Sequence, residues 1–494
     1  MRPISYGERL RQLAAEDPGA LAFVCGDARQ TRGELERASN RLARAFARLG
    51  VGEGDLVTLG LPNGLELLVA CMAAWKLGAV PNPVSSHLPR PERARIVACA
   101  EPALVVGVDP QEAPGRPSLP AGFAPPADLS DEPLPDRVPP HERALASGGS
   151  TGQPKLILPA NPAVYDSERP SPLFKARRAV LVPGPLQHAV PFSAAWQGLL
   201  GGAQAVVMAR FDASECLALI ERHRIDRVHL VPTMMQRIWR LSEAERAGRD
   251  VSSLEFVMTG GAPCPAWLMR AWIEWLGPDV MHEAFGPSER IGGTFITGRE
   301  WLAHPGSVGR PSFGRIRIVD PETGQECPPG VMGEIYMLPA GGPGSTYHYV
   351  GAQARRREDG WETVGDMGRL DEDGYLYLGD RRSDMILSGG RNVYPAEVEA
   401  ALETHPAVRS SAVIGLPDDD LGQRVHAIVE AAGDVDAEAL RAHVRERLVA
   451  YKVPRSVELV DRPLRDDAGK VRRSALREAR LGRERGGAGG SPAP

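Results

Sequence analysis

The sequence predicts an α/β protein: a large N-terminal domain of layered α/β subdomains with a β-rich subdomain, then a small C-terminal α+β domain. Three observations carry this expectation. Short apolar runs alternate with helical stretches through the first half of the chain, the pattern of α/β layers. From Pro305 the texture changes to short strands separated by Gly and Asp turns. Beyond a charged turn, Gly379-Asp380-Arg381-Arg382-Ser383-Asp384, a compact α+β pattern resumes.

Taken in order, helices are expected at Leu35–Leu49 and Leu65–Leu77, and strands at Leu56–Leu61 and Ala103–Val108, parted by turns such as Gly52-Glu53-Gly54-Asp55. Residues 109–140 carry ten prolines and little periodicity, which reads as a surface excursion between subdomains. The alternation returns with apolar runs at Ala179–Val182 and Arg227–Val231 and helices at Ala213–His223 and Pro265–Leu276. The β-rich part draws on Val308–Val319, Gly333–Leu338 and Gly374–Leu378. The last part pairs helices Ala396–Thr404, Ala437–Ala450 and Ser474–Arg480 with strands Ser410–Gly415 and Val425–Glu430. The expected divisions are 1–382, 383–480 and a disordered tail, 481–494, whose end from Gly486 is only Gly, Ala, Ser and Pro.

At about 150 residues per domain, 494 residues suffice for two to four domains with sizeable cores. Lys+Arg 58 against Asp+Glu 63 leaves a net charge of -5, with no basic excess to neutralise nucleic acid or hold an anionic membrane. The six cysteines form no C-x-x-C pair and no zinc-like cluster, which suggests reduced, buried thiols. The N-terminus lacks an apolar h-region, and Leu65–Val80 is too short to span a bilayer, so a cytoplasmic protein is expected. Only five basic residues are lysines (Lys76, Lys155, Lys175, Lys452 and Lys470), and arginine's planar fork does not replace a compact ammonium everywhere.

The sharpest motif is Ser147-Gly148-Gly149-Ser150-Thr151-Gly152-Gln153-Pro154-Lys155. Its glycines let backbone N–H groups converge, while two hydroxyls and a lysine complete a polyphosphate cradle. It is not a Walker A loop, because Pro154 precedes the lysine and Leu156 follows it. A flexible linker is the bland alternative. A G-x-S-x-G nucleophile elbow is disfavoured, because Lys155–Leu158, bracketed by prolines, reads as a strand rather than a helix start. The segment His282–Arg290 offers a Gly-Pro turn, a hydroxyl and a carboxylate that could hold Mg²⁺ beside a nucleotide. Asp366 and Arg381 could pair across a ribose or form a surface salt bridge, and Lys470 sits in another Gly-bearing turn.

In this order, these motifs resemble the superfamily of adenylate-forming enzymes that contains acyl-CoA synthetases, peptide-synthetase adenylation domains and firefly luciferase. The resemblance runs from Tyr6 to Arg480. Stretches such as Val231–Met235, Glu300–Gly309 and Val393–Glu399 are most similar to bacterial bile acid-coenzyme A ligases. It implies that a carboxylate attacks the α-phosphate of ATP and that a thiol, that of CoA, then displaces AMP. It assigns the phosphates to Ser147, Gly148, Gly149, Ser150, Thr151, Gly152 and Lys155, and Mg²⁺ to Thr151 and Glu289. The adenine would lie along Gly260, Gly261 and Ala262, with Ala284, Phe285, Gly286 and Ser288 alongside. Asp366 and Arg381 would clamp the ribose, and Asn392 would approach from the small domain. Lys470 would bridge the attacking oxygen and the α-phosphate. His188 would stand at the mouth of the acyl pocket, or else be merely packed. Ser383 falls at the hinge whose rotation would swap Lys470 for the Gly389-Gly390 loop near CoA.

The chain departs from the family pattern at two places, and the second bears on the substrate. The family's Tyr-Gly-x-Thr-Glu appears as Phe285-Gly286-Pro287-Ser288-Glu289, losing a phenol. Arg290 stands where the bile acid-like relatives carry a small residue. A guanidinium facing the acyl pocket would favour a compact aromatic acid bearing a second anionic group or hydroxyl, with Trp196, Thr233, Met258 and Thr259 as further pocket candidates. Three readings follow: a carboxylate–CoA ligase; an ATP-dependent diazotase that activates nitrite and modifies an aromatic amine in secondary metabolism; or a nucleotide- or acyl-binding protein without catalysis. The expected partners are a small acid or aromatic amine, with neither nucleic acid nor membrane, for a monomer or homodimer.

Overall fold

The computed structural model describes residues 3–148, 154–381, 383–466 and 469–487. It is a mixed α/β structure with a large N-terminal domain and a small C-terminal one. The largest sheet has nine strands. Its inner strands run parallel in the order Met281–Phe285, Phe256–Gly260, Arg227–Leu230, Ala179–Val182, Gln204–Val207 and Leu21–Cys25, with antiparallel strands at both edges. The run Ala179–Val182 shows why such strands are apolar throughout. Val180 and Val182 enter one hydrophobic core while Ala179 and Leu181 enter the other, one on each face.

A second, parallel sheet joins Val80–Pro83, Leu56–Leu59, Leu104–Val106 and Ser118–Leu119. The proline-rich excursion therefore supplies a strand, one of only two residues and too short to leave a periodic trace. The helix expected over Leu35–Leu49 begins at Arg32, because Thr31 and Glu34 close a reciprocal capping box. A six-stranded sheet gathers Arg315–Val319, Gly333–Leu338, Asp366–Leu370 and Leu376–Arg381 with two short strands. A separate three-stranded sheet pairs Pro154–Pro159 with Leu145–Gly148 on one side and Tyr347–Val350 on the other.

The C-terminal part is built on a five-stranded sheet whose long hairpin joins Val408–Asp418 to Gly422–Ala431. Its final helix runs from Arg473 to Gly487, which corrects the expected tail at its start: residues 481–487 continue the helix, as Leu, Arg and Glu there favour. Residues 488–494 lie outside the described residues. Among the described residues no helix is long and apolar enough to cross a membrane. The cysteines form no disulfide, but only Cys71 and Cys216 are buried and the other four are partly exposed.

Candidate active site

The carboxyl ends of the parallel strands open into a cleft of about 1390 Å³, the place where open α/β sheets bind ligands. Each strand delivers expected site residues as it ends. Gly260, Gly261 and Ala262 leave one strand, Ala284 to Arg290 leave its neighbour, and His188 follows Ala179–Val182 through a Gly184-Pro185 turn; all line the cleft. A Cβ on Gly260 would stand 2.4 Å from the Ala284 carbonyl oxygen, and Gly261 has φ +81, so neither position readily accepts a side chain.

Lys155 lies on the strand Pro154–Pro159, as its bracketing prolines suggested. Its Nζ donates to the Tyr349 hydroxyl at 2.8 Å and to Glu289 Oε1 at 3.4 Å, and the Tyr349 hydroxyl donates to the same Oε1 at 2.5 Å. Nζ also stands 3.9 Å from the Tyr349 ring centroid. Burial and the Glu289 carboxylate push the Tyr349 phenol up, so it stays protonated as a donor. Ser147 lies opposite Lys155 in the sheet and lines the cleft too, with Gly148 beside it on the same strand. Gly149, Ser150, Thr151 and Gly152 lie outside the described residues.

Lys470 reaches the cleft from the small domain. It closes a turn in which its backbone N–H donates to Asp466 Oδ1 at 2.9 Å and Asp466 N–H returns a bond to the Lys470 carbonyl. Either side of that turn is tied to one helix: Arg473 Nη2 donates to both oxygens of the buried Glu399 at 2.8 Å, and Arg465 Nη2 reaches Glu403 at 3.3 Å. The turn also meets the large domain. A Cβ on Gly469, which has φ +76, would stand 2.6 Å from Thr233 Oγ1, while Arg472 pairs with Glu92 at 3.1 Å and Arg240 donates to the Arg409 carbonyl at 2.5 Å. Burial pushes His188 down to about 4, with the positive charge of Lys470 adding to the effect, so the imidazole is neutral beside that ammonium at pH 7.

Asp366 and Arg381, the pair expected at a ribose, are neighbours in the backbone. Asp366 lines the cleft, and the strand register places it opposite Arg381. Met258 lines the cleft, but Thr259, next along the strand, does not. It is fully buried on the opposite face, because side chains alternate along a strand, and its hydroxyl has no partner among the described residues. Trp196 is also not a pocket residue: it is buried in the core, 4.6 Å from the Trp75 ring and 5.3 Å from Phe23. Thr233 faces the Gly469 turn instead of lining the cleft. Asn392 is exposed on an edge strand outside the cleft, and Gly389 and Gly390 form the neighbouring hairpin turn with φ +56 and +74, also outside it. In this arrangement Lys470 occupies the cleft and the glycine turn does not.

Several lining residues went unread in the sequence. So did Tyr349, which stands behind Lys155 and Glu289, since nothing local ties it to residues 194 and 60 positions away. Glu283 is one of the lining residues: burial raises it to about 8, leaving a neutral carboxyl in the cleft at pH 7. Tyr6 and Glu142 also line it, and Arg290 Nη2 donates to Glu142 Oε2 at 3.4 Å.

The family model for AMP-binding enzymes matches residues 10–349, and that for the AMP-binding enzyme C-terminal domain matches residues 397–470. The chain belongs to the AMP-binding enzyme family. It is thus an adenylate-forming enzyme of the AMP-forming acyl-CoA ligase group. It is 31% identical to a 2-succinylbenzoate–CoA ligase of Bacillus licheniformis, covering 94% of this chain and 98% of that protein. It is 34% identical to a feruloyl-CoA synthase of Amycolatopsis sp, covering 97% and 99%. Among solved structures it matches the o-succinylbenzoate CoA synthetase of Bacillus subtilis in complex with its acyl-adenylate intermediate, with a TM-score of 0.80 and 26% identity over 96% and 98% of the two chains. The amide bond synthetase McbA of Marinactinospora thermotolerans matches with a TM-score of 0.78 and 27% identity over 96% and 99%. The diazotase reading draws no support from these relatives.

Proposed function

We propose that this adenylate-forming enzyme uses ATP to activate a small aromatic or cyclic carboxylic acid as its acyl-adenylate and transfers the acyl group to CoA. The observation that carries this reading is the convergence of Lys155, Glu289 and Lys470 on one cleft, drawn from three separate elements. Lys155, oriented by Tyr349, binds the outer phosphates, and Lys470 meets the α-phosphate from the opposite side. A substrate carboxylate oxygen attacks that phosphorus, the bond to the bridging oxygen breaks, and pyrophosphate leaves. The CoA thiol then attacks the acyl carbon and AMP departs. His188, neutral, lets the substrate carboxylate approach without capturing it as an ion pair.

Glu289 suits magnesium: Oε1 is engaged by Tyr349 and Lys155, while Oε2, a hard oxygen donor, has no hydrogen bond among the described residues. Together with Thr151, it would hold an ion that neutralises charge on the departing pyrophosphate. Asp366 and Arg381 hold the ribose in this reading, and Ser383 is the hinge dividing 1–382 from the mobile domain. Exchange of the Lys470 and Gly389-Gly390 turns then separates the two half-reactions. Support for an aromatic acid comes from relatives named for 2-succinylbenzoate and ferulate. The test is AMP release by purified protein with ATP and Mg²⁺. Acid- and CoA-dependent AMP is the expected result; AMP that depends on nitrite and an aminobenzoate, with CoA irrelevant, overturns it.

A further inference from the structure

We propose that the cleft contains a site for a second, non-reacting carboxylate on the substrate, held by Arg290 over a buried Glu142–Arg143 pair. It rests on the ligase reading in one respect, that the far end of the substrate lies in this cleft. Glu142 sits between two guanidiniums: Arg143 Nη1 is 2.7 Å from Oε1 and Arg290 Nη2 is 3.4 Å from Oε2. The side chains of Arg143 and Glu142 are 1% and 6% exposed, whereas that of Arg290 is 36% exposed and lines the cleft. The charges acting most strongly on Glu142 are these two arginines.

One carboxylate thus serves two guanidiniums, and the cluster carries an excess positive charge. Glu142 is the counter-ion of the buried Arg143, so the excess falls on Arg290, which faces the cleft, and among the described residues the neutral neighbours supply no second anion. The Ser193 hydroxyl accepts from Arg143 at 3.2 Å, and the Tyr6 hydroxyl accepts from Gln197 at 2.8 Å. Arg290 spends one nitrogen on Glu142, while Nε and Nη1 have no hydrogen-bond partner among the described residues. The two edges of the guanidinium, Nε–Nη2 and Nη1–Nη2, share Nη2, so the edge that Glu142 does not take keeps two N–H groups aligned to match a carboxylate bidentately. The backbone carries a second sign. Arg290 has φ +54, a left-handed conformation unfavourable for a residue with a long side chain, held by its N–H donating to the Pro287 carbonyl at 3.0 Å. The turn thereby presents a cation, next to Glu289, to the same cleft that Lys470 enters.

The test uses matched pairs that differ by one carboxylate: 4-oxo-4-phenylbutanoate against 2-succinylbenzoate for pyrophosphate exchange, and aniline against 4-aminobenzoate with nitrite for AMP release. Thermal-shift titrations of all four compounds give a readout independent of turnover. Wild type is expected to favour the carboxylate-bearing member of at least one pair by about tenfold or more, as one charge-assisted contact gives. In Arg290→Asn, whose side chain tolerates the left-handed backbone, that ratio falls towards unity, and Arg290→Lys restores part of it. Equal treatment of both members in every readout, or an unchanged ratio in Arg290→Asn, overturns the site. Discrimination confined to the amine pair would sink the ligase reading and leave the carboxylate site standing.

Discussion

Lys155 and Lys470 enter the same cleft on different supports. Lys155 projects from a three-stranded sheet, and its ammonium meets a phenol and a carboxylate from two further segments, so its position is set by the fold of the large domain. Lys470 rides on a turn whose flanks, Arg465 and Arg473, are tied to a helix of its own small domain, and that turn touches the large domain through Gly469. A cation fixed in the sheet suits binding energy present throughout the reaction. One carried on a separate domain can be supplied for a single step and withdrawn.

The sharpest test of this contrast is Lys470→Ala against Lys155→Ala. In pyrophosphate exchange Lys470→Ala should lower kcat by about 10²- to 10³-fold, the range for removing a transition-state donor, with ATP affinity little changed. Lys155→Ala should instead act mainly on KM for ATP, by about tenfold. Equal losses of kcat would erase the distinction. Next in size, Glu399→Gln removes the carboxylate that holds Arg473, so adenylation should slow about tenfold while CoA transfer from preformed acyl-adenylate is unaffected. Slowing of both steps, with intact thermal stability, would show that the tie does not act through Lys470. Tyr349→Phe deletes two hydrogen bonds on the fixed side and should raise KM for ATP about threefold to tenfold.

The smallest effect is one of pH. Glu283 is neutral below about 8 because burial raises its pKa, and above that it ionises in a cleft meant for a polyanion. Its folded pKa lies above the unfolded value of 4.5, so stability is highest below that value and falls as pH rises from there, the loss being complete once pH passes about 8. ATP affinity should weaken as pH passes about 8, where Glu283 ionises in the folded protein. A Glu283→Gln variant that kept the alkaline weakening would assign it to another group.

Much of this was legible in the sequence because it is local. Prolines on both sides of Lys155–Leu158 mark a strand, the Gly-bearing turns mark two exceptional lysines, and the ordered motifs mark the family. What was illegible depends on distant partners or on which face a residue takes. Arg290 and Glu142 are 148 positions apart, so the site's charge balance is invisible until the chain folds. Thr259 and Met258 are equally apolar-compatible neighbours, and strand alternation alone cannot say which one sees the cleft. Trp196 lies on a helix buried along most of its length, where composition signals burial but not whether the neighbour is substrate or core.

The close approach of Gly469 to Thr233 gives the fit between the two domains a mechanical tolerance. With 2.6 Å between a hypothetical methyl and the threonine oxygen, a single added carbon would work as a shim, propping the two domains apart by a fraction of an ångström. Because Lys470 is the next residue, that gap would pass directly to its ammonium, where electrostatic help falls with distance. The smallest side chain in the turn therefore sets how closely Lys470 and the large domain fit together.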